Sequence, residues 1–355
     1  MSTQPSAKST EEGDQPPSPV PVLLLYNVVE QIEQGEARDL VTDQEVVRTA
    51  QCIAEGLRST GHDVTVAPAR DETDVARAAV RADPDNVLVF NLCENLGGRA
   101  EDEPKVPALL EQLGFQYTGS PAPTLATCLN KSFTKAHLAN YQVPTAPYQV
   151  FYHADDPIAV PLPAIVKPQA QDASIGIDRS SVVHDERALR ERVEYILDTY
   201  RQPALVEAFI VGREFNVGVW GNGVAHTLPL AEIDFSAWPD PYSQVVHFEA
   251  KWDEGCAEYQ TMNVRCPAQV EPDLAERIRQ VALAAYQAMG CRDYARVDLR
   301  VAAVDGVPYV LEVNPNPCLA IDGGFANAAR VAGFDYARMA HQIAAWAWWR
   351  RDKHS

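Results

Sequence analysis

Long apolar runs are missing from this 355-residue chain. A helix that spans a bilayer needs roughly 20 consecutive apolar residues, and no stretch comes near that. The first 20 residues are polar and lack the apolar segment of a secretion signal. A C-x-x-C pair is missing too. The seven cysteines, at 52, 93, 128, 256, 266, 291 and 318, are scattered and odd in number. That pattern argues against a disulfide or zinc framework and for reduced thiols in the cytoplasm. Positive charge is scarce, with 30 Lys and Arg against 49 Asp and Glu and a net charge of −19. A nucleic-acid backbone is therefore not expected as the main partner. An anionic ligand has to be met by a few local cations, not by the overall field.

What is present is a globular composition, 46% hydrophobic and 22% charged, in a chain long enough for two or three domains. Residues 1–20 are rich in Ser, Pro and acid and read as a disordered tail. Then "VPVLLLYNV", "HDVTVAPA" and "NVLVFNLCE" read as strands. They alternate with helices around 43–60, at 72–82 and through "VPALLEQLG". Val46, Val47, Ala50, Ile53 and Leu57 carry the helical spacing of the first. Strand–helix alternation predicts a parallel α/β sheet over 21–122. Ligands gather at the carboxyl ends of such strands, where Asn27, Asn91 and Glu94 stand; a solvated loop charge is the simpler reading of Glu94 alone. A turn-rich link at "TGSPAPT" opens a second region, 123–204, with a Lys-bearing helix and a strand–loop–strand. A third, 205–350, opens with "ALVEAFIVGREFNVGVWGNGV", a strand, a turn and a hairpin closed by Asn222-Gly223. A polar loop is expected over 236–265, then a helix in "EPDLAERIRQVALAAYQAMG", then a helix-rich end whose "AAWAWW" reads as buried.

The segment "ARVDLRVAAVDGVPYVLEVNPNP" carries the chemistry. It reads as a β-hairpin with the three-residue loop Val304-Asp305-Gly306, Gly taking the left-handed position. Parity then sets Asp298 opposite Glu312, on one face with Asn314 and Arg296. Prolines 315 and 317 stop the strand. The stretch 309–319 alone reads equally well as the polar face of a half-exposed strand. With its partner strand it becomes three hard oxygen donors beside a guanidinium, suited to magnesium-bound phosphates.

Four blocks in order, "NKSFTK", "IVKPQAQDASIGI", "LVEAFIVGREFNV" and "ARVDLR…YVLEVNPNP", resemble the ATP-grasp superfamily. Within it they resemble the D-alanine–D-alanine ligase family, over about residues 85–345. The resemblance implies an ATP-grasp fold, α+β in its C-terminal half, behind a parallel α/β domain. It implies that Lys131 and Lys167 contact ATP phosphates, that Ser174 and Gly176 lie in the loop closing over them, and that Glu207 and Ile210 hold the adenine edge. Glu214 would meet the ribose hydroxyls and Lys251 would reach over the phosphates. Arg296 would stand beside the reacting carbonyl, and Asp298, Glu312 and Asn314 would bind magnesium, with manganese an alternative. Catalytic roles fall to Arg296, Lys251 and Ser174. The implied reaction is carboxylate–amine ligation through an acyl phosphate, with small amino-acid-like substrates, no nucleic acid, no membrane and a homodimer left open.

The sequence departs from the family at the substrate end. The Gly-Gly strand end and the Ser-x-Glu that follows it are replaced by "YNVVEQIEQGEARDLVTDQEV", where Asp43 and Glu45 are candidate substitutes. The family's second carboxylate-binding serine falls near Gly323. The loop at 172–176 is also less glycine-rich than usual. Two other readings stay open: a ligase joining an amino acid to a specialised metabolite, and a nucleotide-binding protein without turnover.

Overall fold

The structure, a computed structural model, describes residues 19–29, 36 and 41–350, the side chains of 41–44 excepted. Nearly all of the tail expected at 1–20, and the side chain of Asp43, lie outside the described residues.

Three sheets follow one another along the chain. The first contains β1 (Val22–Asn27), α1 (Val41–Ser59), β2 (Val64–Ala69), α2 (Glu72–Ala79), β3 (Leu88–Leu92), α3 (Lys105–Gln112) and β4 (Gln116–Tyr117). Its strands run parallel in the order β2-β1-β3-β4. β1 and β3 are central, and helices cover both faces, so their apolar runs are continuous rather than alternating. Val22 and Leu24 pack with Ala50, Ile53 and Leu57 of α1. Leu23 and Leu25 point the other way, onto Val75 of α2 and Val106 and Leu110 of α3. Val47 is only half-buried, at the edge of the α1 stripe.

The second sheet follows α4 (Ala122–Leu129) and α5 (Lys131–Asn140). It holds β5 (Tyr148–Phe151), β6 (Ala164–Pro168), β7 (Val182–Val183), α6 (Glu186–Tyr200) and β8 (Ala204–Ala208). Its strands are antiparallel in the order β5-β8-β6-β7, and α6 packs Leu189, Val193 and Ile196 against it. The boundary expected at 204/205 falls at the start of β8, a strand of this second sheet.

The third sheet holds β9 (Gly212–Gly221), β10 (His226–Thr227), β11 (Ala231–Asp234), β12 (Asn263–Arg265), β13 (Asp293–Ala302) and β14 (Pro308–Asn314). Its order is β12-β11-β9-β13-β14, with β10 also on β9. α9 (Pro272–Ala288) starts with Pro at its first position, ends before Gly290 at φ +66°, and packs Ile278, Ala282 and Ala285 on the sheet. α10 (Gly324–Val331) and α11 (Tyr336–Trp349) return to the first sheet, so the last helix joins its core. Trp220 of β9 sits in that core, ring to ring with Trp346 at 5.2 Å.

Two expectations are corrected. The polar loop of 236–265 contains α7 (Phe248–Trp252), α8 (Ala257–Thr261) and the edge strand β12. The β13–β14 hairpin has a four-residue loop, 303–306, because the Ala302 N–H bonds to Val307 O. Pairs near the turn are thus Leu299 with Val310 and Arg300 with Tyr309. An irregularity after Asp298 then absorbs one residue, Leu311, and restores Asp298 opposite Glu312. The one-residue shift turns Val310 into the core at 1% exposure and leaves Tyr309 and Leu311 partly exposed. Gly306 does take the left-handed turn, at φ +68°.

Candidate active site

A cavity of about 280 Å³ lies where the second and third sheets face each other. Ile165, Phe209, Ile233, Met262 and Leu311 give it apolar walls. Lys131, Lys167, Glu207, Glu214, Lys251, Arg296, Asp298 and Glu312 give it charge, and Ser174 and Ile210 complete the set of expected residues on its lining. Gly176 and Asn314 are not on the lining. Gly176 sits behind the loop at φ +73°, where a Cβ would stand 2.4 Å from Pro168 Cγ. Packing against Pro168 and the left-handed backbone both call for glycine there.

Strand pairing aims the charged groups. β9 and β13 pair Asn216 with Asp298 and Glu214 with Arg300. Alternation puts Arg296, Asp298 and Arg300 on one face of β13, and Glu214 and Asn216 on the matching face of β9. Arg296 grips Asp298 with two of its three guanidinium nitrogens, Nε to Oδ1 at 2.7 Å and Nη2 to Oδ2 at 2.8 Å. Asn216 Nδ2 donates to the same Oδ1 at 2.8 Å. Asn314 Nδ2 lies 3.1 Å from Asp298 Oδ2 and 3.5 Å from Glu312 Oε1. Asp298, Glu312 and Asn314 therefore share one face and one small volume. Burial, with the Glu312 carboxylate beside it, raises the Asp298 pKa in spite of Arg296. Burial pushes Glu312 the same way, but the Lys131, Lys167 and Arg296 cations outweigh it and hold Glu312 down at about 2. Among the described residues no three His, Cys, Asp or Glu side chains form a metal cluster; the hairpin set is two carboxylates and a carboxamide.

Lys131 opens α5, which Asn130 caps by accepting from Phe133 N at 3.1 Å. Its Nζ lies 3.2 Å from Asp172 Oδ1 and 3.6 Å from Glu312 Oε2, and it also donates to Gln171 O. Burial opposes its charge, yet those acids raise its pKa. Lys167 Nζ is 3.1 Å from Glu207 Oε1. Glu207 is itself buried, which disfavours its charge, but the Lys135 and Lys167 ammoniums bring its pKa below the usual carboxylate value. Lys251 forms no ion pair among the described residues; its ammonium lies 5.0 Å from the Trp252 ring centroid. Burial, then repulsion from Arg296, lowers its pKa.

Two loops cover the cavity and hold each other. Ser174 Oγ donates to Val246 O at 2.7 Å, Phe248 N to Ile177 O at 2.8 Å and Trp252 Nε1 to Ala173 O at 3.1 Å. Ala173 and Ser174 both have positive φ, +56° and +64°. Non-glycine residues are held there at a cost of about 1–3 kcal/mol each. The contacts from 246–252 offset that cost.

Beyond the cavity, the hairpin end is tied to β3. Asn316 Nδ2 donates to Cys93 O and to Glu103 Oε1, both at 3.0 Å, and Tyr294 O–H donates to Asn316 Oδ1 at 3.0 Å. Burial keeps Glu103 well above the usual carboxylate range. Asn27 and Asn91 are buried and turn their oxygens onto backbone: Asn27 Oδ1 accepts from Glu94 N at 3.0 Å, Asn91 Oδ1 from Cys93 N at 3.1 Å. On α1, Glu45 Oε2 lies 3.9 Å from Cys318 Sγ. Burial, then the Glu94 and Glu45 carboxylates, push the Cys318 thiol up to about 12. It stays a thiol, not a nucleophile.

Three participants escaped the sequence reading. Arg300 donates to Glu214 Oε2 at 2.8 Å and Ile210 O at 3.0 Å, and stacks 4.9 Å from the Phe209 ring. Burial, with Asp298 and Glu312 nearby, raises Glu214 in spite of Arg300. Asn216 and Lys135 are the others. Period-two alternation from Asp298 and Glu214, and the i, i+4 spacing from Lys131, were the signals that could have found all three.

The family described as "D-ala D-ala ligase C-terminus" matches residues 138–345. An uncharacterized protein of Sinorhizobium fredii is 34% identical over 257 residues, covering 72% of this chain and 73% of that protein. A D-alanine–D-alanine ligase of Desulforudis audaxviator is 30% identical over 311 residues, 86% of this chain and 94% of that enzyme. The crystal structure of D-alanine–D-alanine ligase from Bacillus anthracis complexed with ATP superposes with a TM-score of 0.72 at 21% identity, over 94% of this chain and 99% of that one. That last likeness is one of fold.

Proposed function

The chain belongs to the D-alanine–D-alanine ligase family and is an ATP-dependent ligase of ATP-grasp fold, and on that premise we propose that it joins two small amino-acid-like substrates, selecting a pair other than D-alanine with D-alanine. The observation that carries the site assignment is the Arg296–Asp298–Glu312–Asn314 face beside a cavity that also holds Lys131, Lys167 and Lys251.

The apolar walls suit an adenine ring, and Glu214, braced by Arg300, suits the ribose hydroxyls. Lys131, Lys167 and Lys251 take the phosphate charge as compact cations. Asp298, Glu312 and Asn314 carry hard oxygen donors on one face, the Asn314 amide nitrogen lying against both carboxylates, and the set would hold magnesium, with manganese the alternative. Magnesium supplies neutralisation of phosphate charge when bound. The substrate carboxylate attacks the γ-phosphorus of ATP, giving an acyl phosphate and ADP. The amine of the second substrate then attacks the acyl carbon, phosphate leaves, and the amine proton passes to solvent. Arg296 stabilises the tetrahedral oxyanion, Lys251 the transferring phosphoryl group, and Ser174 keeps the cover loops together. Water is kept out by the loops at 172–177 and 245–252.

The departure in substrate rests on the strand ends. Asn27 and Asn91 spend their oxygens on backbone, and Glu45 and Glu94, whose carboxylates act on Cys318, are the acids that would meet an ammonium. The three sheets support a division into 21–122, 123–208 and 209–350, the second boundary moved from 204/205 to the end of β8. No described helix is long and apolar enough to cross a membrane; we propose a cytoplasmic site of action.

The test is ADP release screened over pairs of small amino acids and amines. With the active pair, one ¹⁸O from the labelled carboxylate should appear in released phosphate. Label appearing in AMP or in water, with none in released phosphate, would rule out the acyl phosphate.

A further inference from the structure

Lys135 is a lysine that faces neither solvent nor the cavity. It is 1% exposed and absent from the cavity lining, although Lys131, one turn earlier on α5, is on it. Its Nζ donates to Thr145 Oγ1 at 2.7 Å and lies 3.1 Å from Glu207 Oε1. Lys167 reaches the same oxygen, also at 3.1 Å, from the cavity side. One carboxylate thus stands between two ammoniums, one behind it and one in front.

The charge count decides what this does. A Lys167–Glu207 pair alone would be neutral and would pull Lys167 onto its partner. With Lys135 behind, the three groups sum to one positive charge, and Glu207 is shared. Salt does not screen a buried set as it screens a surface pair. Nor is stability a sufficient reason to bury such a group, since well-packed apolar residues in place of buried ion pairs are often neutral or stabilising. We infer that Lys135 is a positioning residue of the nucleotide site: by occupying Glu207 from behind, it leaves Lys167 with uncompensated positive charge for the phosphates. The inference rests on reading the cavity as the ATP site.

The experiment compares ATP with magnesium against adenosine, which lacks phosphate, by calorimetry on the full chain. Wild type should bind ATP far more tightly than adenosine; no such preference would defeat the reading of the cavity and the inference with it. Lys135→Met should lower ATP affinity at least tenfold and leave adenosine within twofold. Lys135→Met with Glu207→Gln should recover most of the lost ratio, since no carboxylate then draws on Lys167. A packing role would not produce that recovery. An unchanged ATP-to-adenosine ratio in Lys135→Met, or no recovery in the double variant, overturns the inference while the wild-type preference still stands. Should Lys135→Met not fold alone, the double variant is compared with Glu207→Gln: ratios within threefold of each other support the inference, since Lys135 then has no carboxylate to occupy, and a ratio at least tenfold lower in the double variant overturns it.

Discussion

On the nucleotide side, Lys167, Glu207, Glu214, Arg296, Asp298, Arg300 and Glu312 stand on paired strands, and the Glu214–Arg300 and Asp298–Arg296 ion pairs hold charge around the cavity. On the substrate side, Asn27 and Asn91 also stand at strand ends, but their oxygens hold the next turn of backbone. The same kind of position thus serves chemistry in one half and loop shape in the other. Strand pairing fixes side-chain directions in both halves; the difference lies in the partner each side chain finds, an opposite charge in the first and a freed N–H in the second. Where a strand hands over to a loop, the freed N–H groups need acceptors, and the nearest amide supplies one.

Arg296→Ala should break this contrast most sharply, with kcat falling ~10²–10³-fold, the usual cost of one oxyanion donor. Asn91→Ala should instead destabilise the fold by about 1–3 kcal/mol, the cost of a buried group left unpaired, with ATP affinity within twofold of wild type. Steady-state kinetics and denaturant titration on both variants separate the two outcomes. Gly176→Ala should destabilise by about 1–3 kcal/mol through overpacking against Pro168. Its stability loss should exceed its loss of ATP affinity, because the residue lies behind the cavity wall.

The smallest expected effect joins the first sheet to the last helix. His62 Nε2 and His341 Nδ1 lie 2.8 Å apart, and His62 Nδ1 meets Val20 O at 2.9 Å. Burial lowers both pKa values from 6.5, and His62 adds repulsion at His341. The unfolded chain therefore takes up protons first as pH falls through 6.5. Stability should drop from there downward and be flat with respect to this pair above it. Urea midpoints at pH 7.5 and 5.5 should differ more in wild type than in His341→Gln.

Much of the site was legible from the apolar alternation of the two strands, although a one-residue error of length by itself flips every side chain. The hairpin register at Asp298 and Glu312 held even though the loop is one residue longer than expected, because the irregularity at Leu311 cancels the difference. The core positions of α1 followed from helical spacing, since a 19-residue helix gives several repeats. The cover segment was not legible: α7 and α8 have five residues each, too few for a period of 3.6 to declare itself. Lys135 was passed over because a lysine in a helix reads as surface. Its Glu207 partner, 72 residues on in β8, shows in the fold that it is buried.

The central claim is that the ATP half keeps its chemistry while the amino-acid half selects something other than D-alanine twice over. The direct measurement is steady-state turnover with D-alanine as sole acid and amine. The account predicts kcat/KM well below the ordinary enzyme range of ~10⁴ M⁻¹s⁻¹ and above, with ADP release restored by a different acid–amine pair. A value for D-alanine inside that range would contradict it.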